Sequence, residues 1–321
     1  MVLGLDVRGT DLSTRFGSCS ACVFAPSPIL TITVERGPEG DEVHLHAGGQ
    51  GYWVARLAAS LGARVSLCAP IGGESGDVLR ALLGGKGIEL LAVGISEPNA
   101  VYVHDRRGGD RRPIVETPSP GLHRHELDEL YGVAVAAGLA SDVVLLTGPG
   151  HEHVLPAETY TRLAIDLRAN GRRVLADLSG APLWAALKGG LDVLKLSEEE
   201  LRAERPGLEA GADMRSAVLR LNGDGAESVV LSRGSEPALA LIEGKLLEAV
   251  GPRFAEVEAH GAGDSMFAAL GVGLASGLET TDALRLAVAA GALNVARHGL
   301  GSGRVTEIDR LSRQVRISPV A

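Results

Sequence analysis

The chain has 321 residues, 45% of them hydrophobic but only 3% aromatic, so one large or two small domains must be packed mostly with Ala, Leu and Val. A net charge of −9 and a pI near 5.5 argue against a nucleic-acid partner. No apolar run reaches membrane-spanning length, and Met1 to Thr14 shows no apolar signal region, so a cytoplasmic protein is expected. Three cysteines make no disulfide framework, and the CxxC of Cys19 and Cys22 lacks the second pair that a zinc site needs.

In chain order, residues 1–20 lack periodicity and read as a polar N-terminal extension, and a short apolar strand follows from Ala21 to Pro26. Ile29–Val34 and Glu42–His46 alternate in period two across a Gly-Pro-Glu-Gly turn, which predicts a hairpin. Val101–His104 and Pro113–Glu116 predict a second one, and the four strands make a small sheet apart from the main one. Gln50–Leu61 reads as a helix and Val65–Cys68 as a strand. Strands at 143–146, 174–177, 191–194, 228–231 and 238–241 alternate with helices at 156–169 and 197–203, and two helices close the chain. Apolar strands alternating with helices predict a doubly wound, mostly parallel α/β sheet. Ligands bind such sheets outside the carboxyl ends of the strands, where Asp177, Lys195, Ser232 and Gly234 fall.

The stretch with most chemical content is His260-Gly261-Ala262-Gly263-Asp264-Ser265-Met266-Phe267. A glycine loop opening a helix offers unpaired backbone N–H groups to an anion, and Gly261 and Gly263 let a phosphate approach the main chain. Asp264 repels a bare phosphate but suits a base that deprotonates an attacking hydroxyl. A glycine turn with a helix-stabilising Asp is the plain alternative.

Gly48-Gly49-Gln50-Gly51-Tyr52-Trp53-Val54-Ala55-Arg56, then Leu61-Gly62, then Gly72-Gly73-Glu74-Ser75-Gly76-Asp77, together with the distal Gly-Ala-Gly-Asp, resemble the two signature regions of the ribokinase-like (PfkB) carbohydrate kinases. The similarity is closest to the 1-phosphofructokinase and tagatose-6-phosphate kinase branch and covers about residues 22–305. It implies a kinase domain over 21–321, with a β lid from about 29–47 and 99–117 that closes over the acceptor and often joins two copies into a homodimer. It implies ATP and Mg²⁺, Asp264 as base, and Gly261, Ala262 and Gly263 as anion cradle. Lys195-Leu196-Ser197-Glu198-Glu199-Glu200 resembles a segment whose glutamate organises magnesium, which assigns Glu200 to the metal along with Asp177. The same residues also make a capping box. Lys195, Ser232, Gly234, Gly263 and Asn294 are implied on the nucleotide side, with 299–303 near the adenine.

The acceptor side departs from the pattern. Thr31, Gly48, Gly49, Gln50 and Trp53 are its implied residues, but Thr31 stands where the family has a sugar-binding aspartate and Trp53 where it has an asparagine. Arg106, Arg107, Arg111 and Arg112 can form an anion clamp or a solvated charge run. The HxH pairs at 123–125 and 151–153 lack the HExxH spacing of zinc sites. Gly84-Gly85-Lys86-Gly87 lacks the remainder of a Walker loop, and there is no G-x-S-x-G. The expected function is ATP-dependent phosphorylation of a hydroxyl on a sugar, sugar phosphate or similar small acceptor. A nucleotide-binding sensor or partner protein with impaired catalysis is the second reading.

Overall fold

The computed structural model describes residues 16–85, 87–204, 212–255, 260–296, 301 and 303–320. The chain runs β1 (Ser20–Phe24), β2 (Ile29–Gly37), β3 (Gly40–Gly48), α1 (Gln50–Leu61), β4 (Arg64–Ile71), α2 (Gly73–Leu83), β5 (Ile88–Gly94), β6 (Ala100–Asp105) and β7 (Arg112–Glu116). Next come α3 (Arg124–Leu139), β8 (Val143–Thr147), α4 (Glu158–Ala169), β9 (Arg173–Asp177), α5 (Gly180–Gly189), β10 (Leu191–Ser197) and α6 (Glu198–Glu204). After α7 (Ala212–Gly223) come β11 (Ala226–Arg233), β12 (Glu236–Ile242) and β13 (Lys245–Val250), then α8 (Ala262–Ala275), α9 (Thr280–Val295), α10 (Val305–Ser312) and β14 (Arg316–Pro319).

The main sheet has ten strands in the order β14-β13-β12-β11-β10-β9-β8-β1-β4-β5. From β11 to β5 every pairing is parallel, while β12, β13 and β14 add an antiparallel edge. This agrees with the doubly wound fold expected from the alternation. Successive side chains of a strand point to opposite faces, and here both faces are dry. Ala21, Val23, Leu145 and Leu175 join one core with α1, α2, α8 and α9. Cys22, Phe24, Leu146 and Ala176 join the other with α3, α4, α5 and α7. Among the described residues no helix is long and apolar enough to cross a membrane.

The separate sheet has the order β3-β2-β6-β7. Strands β2 and β6 are parallel, so the hairpins join only because the chain between them passes through the main domain. Register gives each face of this sheet its own character. Leu45, Ile32, Val103 and Val115 form a row across all four strands, and Leu45, Val115 and nearby Val43 are 45%, 50% and 60% exposed. On the opposite face His46, Thr31, Tyr102 and Glu116 form one row, and His44, Thr33, His104 and Pro113 the next.

Several expectations need correction. Phe16 and Cys19, placed in the extension, are buried in the core, because β1 begins immediately after them; residues 1–15 and Lys86 lie outside the described residues. Among the described residues three helices, not two, follow β13, and β14 closes the edge. The two cysteines of the CxxC face different partners. Cys19 Sγ donates to the Phe16 carbonyl, whereas Cys22 faces Cys68 across 3.8 Å. The arginines do not converge on a clamp. Arg107 pairs with Asp41 and Asp105, both at 2.9 Å, and Arg111 Nε donates to His104 Nδ1 at 3.0 Å. The His pairs stack ring on ring, and among the described residues no group of three His, Cys, Asp or Glu can hold a metal.

Candidate active site

Parallel strands β9 and β10 bring Asp177 and Lys195 side by side in register. Lys195 Nζ donates to Asp177 Oδ2 at 2.9 Å with both side chains buried. Burial alone would pull the lysine pKa down, but the carboxylates of Asp177 and Glu200 outweigh it and hold the ammonium charged. Asp177 Oδ1 is buried with no hydrogen-bond partner among the described residues. A hard anionic oxygen left in this state is the kind of donor a divalent cation takes.

The glycine loop opens α8, which packs on the face of the sheet that carries Leu175 and Val193. Gly261 caps α8 at φ 74°, ψ 4°, a left-handed conformation that a side chain would strain. A Cβ on Gly263 would stand 2.7 Å from Lys195 Nζ, so the ammonium touches the main chain at the opening of α8. The N–H groups of the first helical turn and this cation therefore face the same space. Asn294 on α9 pins the loop. Its Nδ2 donates to the His260 carbonyl at 2.8 Å and its Oδ1 accepts from Ser265 Oγ at 3.1 Å. Asn294 is thus buried beneath the loop rather than open at an adenine edge. Gly299, Leu300 and Ser302, also expected at that edge, lie outside the described residues.

Asp264 sits in the first turn of α8. Burial first, then repulsion from Asp177, pushes its pKa up to about 7; Lys195 pulls back, Glu200 adds to the rise, and a Gln50 hydrogen bond lowers it. Gln50, at the start of α1, ties the floor together. Its Oε1 accepts from Gly148 N at 2.8 Å and its Nε2 donates to the Asp177 carbonyl at 3.3 Å. No sequence signal marked this role, because its partners lie 98 and 127 residues away.

The capping box of α6 is present. Ser197 N and Oγ both donate to Glu200 Oε2 at 2.7 Å, and Glu200 N donates to Ser197 Oγ at 3.1 Å. This holds Glu200 at the helix start, near enough for its charge to act on Asp177, Lys195 and Asp264. Ser232 pairs with Ser197 one strand further out, and Gly234 follows at φ 58°.

On the acceptor side Gly48 and Gly49 lead into α1. Thr31 Oγ1 lies 2.9 Å from where a Gly48 Cβ would stand, so the polar face of the small sheet meets the glycine run. Trp53 N donates to the Gly49 carbonyl at 3.2 Å. The register also brings His46 and Tyr102 beside Thr31, residues that the sequence alone did not single out. A cleft of about 500 Å³ lined by Arg168, Arg172 and Arg173 opens at the other end of the strands. There Arg173 satisfies the Leu274 carbonyl near the end of α8, a structural task rather than a catalytic one.

A family model described as pfkB family carbohydrate kinase matches residues 14–307. The 1-phosphofructokinase of Vibrio cholerae is 28% identical over 278 residues, 85% of this chain and 86% of that one. The ATP-dependent 6-phosphofructokinase isozyme 2 of Mycobacterium tuberculosis is 31% identical over 275 residues, 82% of this chain and 78% of that one. Among solved structures, phosphofructokinase-2 from Escherichia coli in complex with potassium superposes with a TM-score of 0.80 at 25% identity, covering 92% of this chain and 99% of that one.

Proposed function

The chain belongs to the pfkB family of carbohydrate kinases, and from that premise we propose that it transfers the γ-phosphoryl group of ATP to a hydroxyl of a small polar acceptor. One observation carries the residue assignment. A carboxylate with pKa raised to about 7, Asp264, opens a helix whose glycine loop is in contact with a buried, charged lysine. A base must take a proton at neutral pH, and a pKa near 7 suits that task.

Asp264 takes the proton from the acceptor hydroxyl as its oxygen attacks phosphorus in line with the departing ADP oxygen. The N–H groups of Ala262 and Gly263 and the ammonium of Lys195 face the charge that builds on the phosphoryl oxygens. Gln50 holds Asp264 and the ends of β8 and β9 in one arrangement. Ser232 and Gly234 border the nucleotide phosphates. Asp177, through its unpartnered Oδ1, and Glu200 suit a magnesium ion, since that ion commonly takes one or two carboxylates plus substrate phosphates and water. When bound it neutralises phosphate charge. Asn294 acts here by fixing the loop, not by touching the base of the nucleotide. The exposed apolar row of Leu45 and Val115 supports pairing of two copies through the small sheet, which would cover both rows at once.

The test is ATP consumption with Mg²⁺ across a panel of sugars, sugar phosphates, polyols and nucleosides. Acceptor-dependent turnover that Asp264→Asn abolishes is the expected result. Turnover unchanged in that variant would remove the base assignment, and ATP binding with no turnover on any acceptor would favour a sensor.

A further inference from the structure

We propose that Glu204 is a positioning residue for the divalent metal: bonded to the turn that leaves β9, it fixes how Glu200 approaches Asp177, and its removal weakens metal binding although neither of those carboxylates is changed. This rests on the magnesium reading above, which gives the ion to Asp177 and Glu200. The two belong to different elements. Asp177 ends β9, whereas Glu200 lies on α6, a helix that packs on β10 and β11 with Leu201 buried.

Each carboxylate is held locally, Asp177 by Lys195 at 2.9 Å and Glu200 by the amide and hydroxyl of Ser197, both at 2.7 Å. Lys195 anchors Asp177 to β10, but α6 leaves that strand after Ser197, and its direction has to be set by something else. Two carboxylates that share a site repel, and the charge of Glu200 is felt at Asp177. A metal seat made from this pair therefore needs a tie between the turn after β9 and the body of α6.

Glu204 supplies that tie. It lies on α6 four residues after Glu200, and its two oxygens take two donors from the opening of α5. Gly180 N donates to Oε1 at 2.5 Å and Trp184 Nε1 donates to Oε2 at 2.9 Å. Gly180 stands three residues after Asp177, so the first bond joins the turn leaving one carboxylate to the helix that carries the other. The φ of Gly180 is 64°, a conformation few residues but glycine adopt, and a charge-assisted bond to its N–H holds the turn in it. Helix strength alone does not account for Glu204. Four glutamates crowd the seven residues of α6, and like charges one turn apart, as at Glu200 and Glu204, destabilise a helix. Glu198 is offset by Arg202 and Arg233, whereas both oxygens of Glu204 reach across to α5. A local conflict of this kind marks a place where position outweighs stability.

The test reads the metal directly. Free Mn²⁺ is followed by electron paramagnetic resonance as it binds the full chain loaded with an equimolar non-hydrolysable ATP analogue, with the analogue alone as blank. Glu204→Met, which keeps the length and removes both acceptors, should weaken Mn²⁺ binding about tenfold or more. Glu199→Met, which takes an exposed carboxylate from the same helix, should change it by less than about threefold, because an exposed charge is screened. Glu204→Gln keeps one acceptor for Gly180 N; it should fall between the two and guards against misfolding of the methionine variant. In turnover, Glu204→Met should raise the Mg²⁺ concentration for half-maximal rate by a similar factor while excess Mg²⁺ restores kcat, a split that a merely weaker fold does not produce. Mn²⁺ affinity in Glu204→Met within about threefold of the unmodified chain, or lost equally in Glu199→Met, overturns the proposal and leaves the magnesium reading standing. Mn²⁺ binding that Asp177→Asn does not weaken removes the magnesium reading, and this proposal with it.

Discussion

Gln50 and Trp53 stand about one turn apart on α1, yet the floor around the first and the wall around the second are made of opposite materials. The floor is charge: the buried pair of Asp177 and Lys195, with Asp264 and Glu200 half-buried beside it, each fixed by a neighbouring strand, helix cap or loop. The wall is Thr31, Tyr102 and His46 in one row of the small sheet, with half-buried Trp53 against Tyr52. Buried charges are severely constrained, since an unpaired one is heavily penalised, so a floor of this kind tolerates little change. A half-exposed wall has no such constraint, and its side chains can be exchanged without threatening the fold. The same scaffold can therefore keep its phosphate chemistry while changing what it phosphorylates.

The sharpest way to break this contrast is at the base. Asp264→Asn should lower kcat by about 10²–10⁴-fold with little loss of ATP binding, measured by steady-state kinetics and calorimetry. A loss below tenfold would return Asp264 to a helix-stabilising role. Lys195→Met should leave Asp177 buried without its cation and destabilise the chain by about 3–5 kcal/mol, read by urea unfolding. Asn294→Ala should cost about 1–3 kcal/mol by leaving the buried Ser265 hydroxyl without its acceptor and should lower kcat by freeing the loop. A variant that unfolds normally but keeps full kcat would show that the pin is dispensable.

The raised Asp264 pKa makes two further predictions with opposite slopes. In the free enzyme kcat/KM should climb with pH and level off above about 7, because the base acts only when ionised. Stability should move the other way. The folded state binds the proton more tightly than the unfolded chain, so this group lowers stability progressively from its ordinary 3.8 up to about 7. Asp264→Asn should flatten that part of the stability profile. The smallest effect is expected on the lid. Leu45→Asp should change unfolding free energy by only about 0.5 kcal/mol, yet convert any dimer to monomer in sedimentation. A dimer that survives would move the interface elsewhere.

The main strands and the helix at Gln50 were legible because their periodicity is local. So was the glycine loop, whose residues are contiguous. What was not legible depended on distance in the chain or on weak patterning. Helix α3 packs on its core through Leu127, Leu130, Tyr131, Val133, Ala134, Val135 and Ala137, a stripe blurred by small residues, and its start is marked by His123 rather than a common cap. The edge strands β13 and β14 are short and half-exposed. Gln50 reads as an acceptor contact until the fold brings Gly148 and Asp177 to it. Asn294 reads as a nucleotide contact until α9 is seen to pass beneath the loop. Arg107 reads as a candidate clamp until the hairpins are paired and Asp41 comes beside it.

The cysteines carry a practical consequence. All three are buried; burial pushes the Cys19 thiol up to about 11, and Cys22, hydrogen-bonded to Cys68 in the core, is also raised well above its ordinary value. Thiols in that state scarcely form thiolate and are out of reach of alkylating reagents. The native protein should therefore stay unlabelled in maleimide at neutral pH, and each molecule that opens should take up three labels. Because Cys22 and Cys68 sit on adjoining strands β1 and β4, both flanked by further strands, their alkylation rate is a built-in clock for how often that part of the sheet comes apart, with and without ligand.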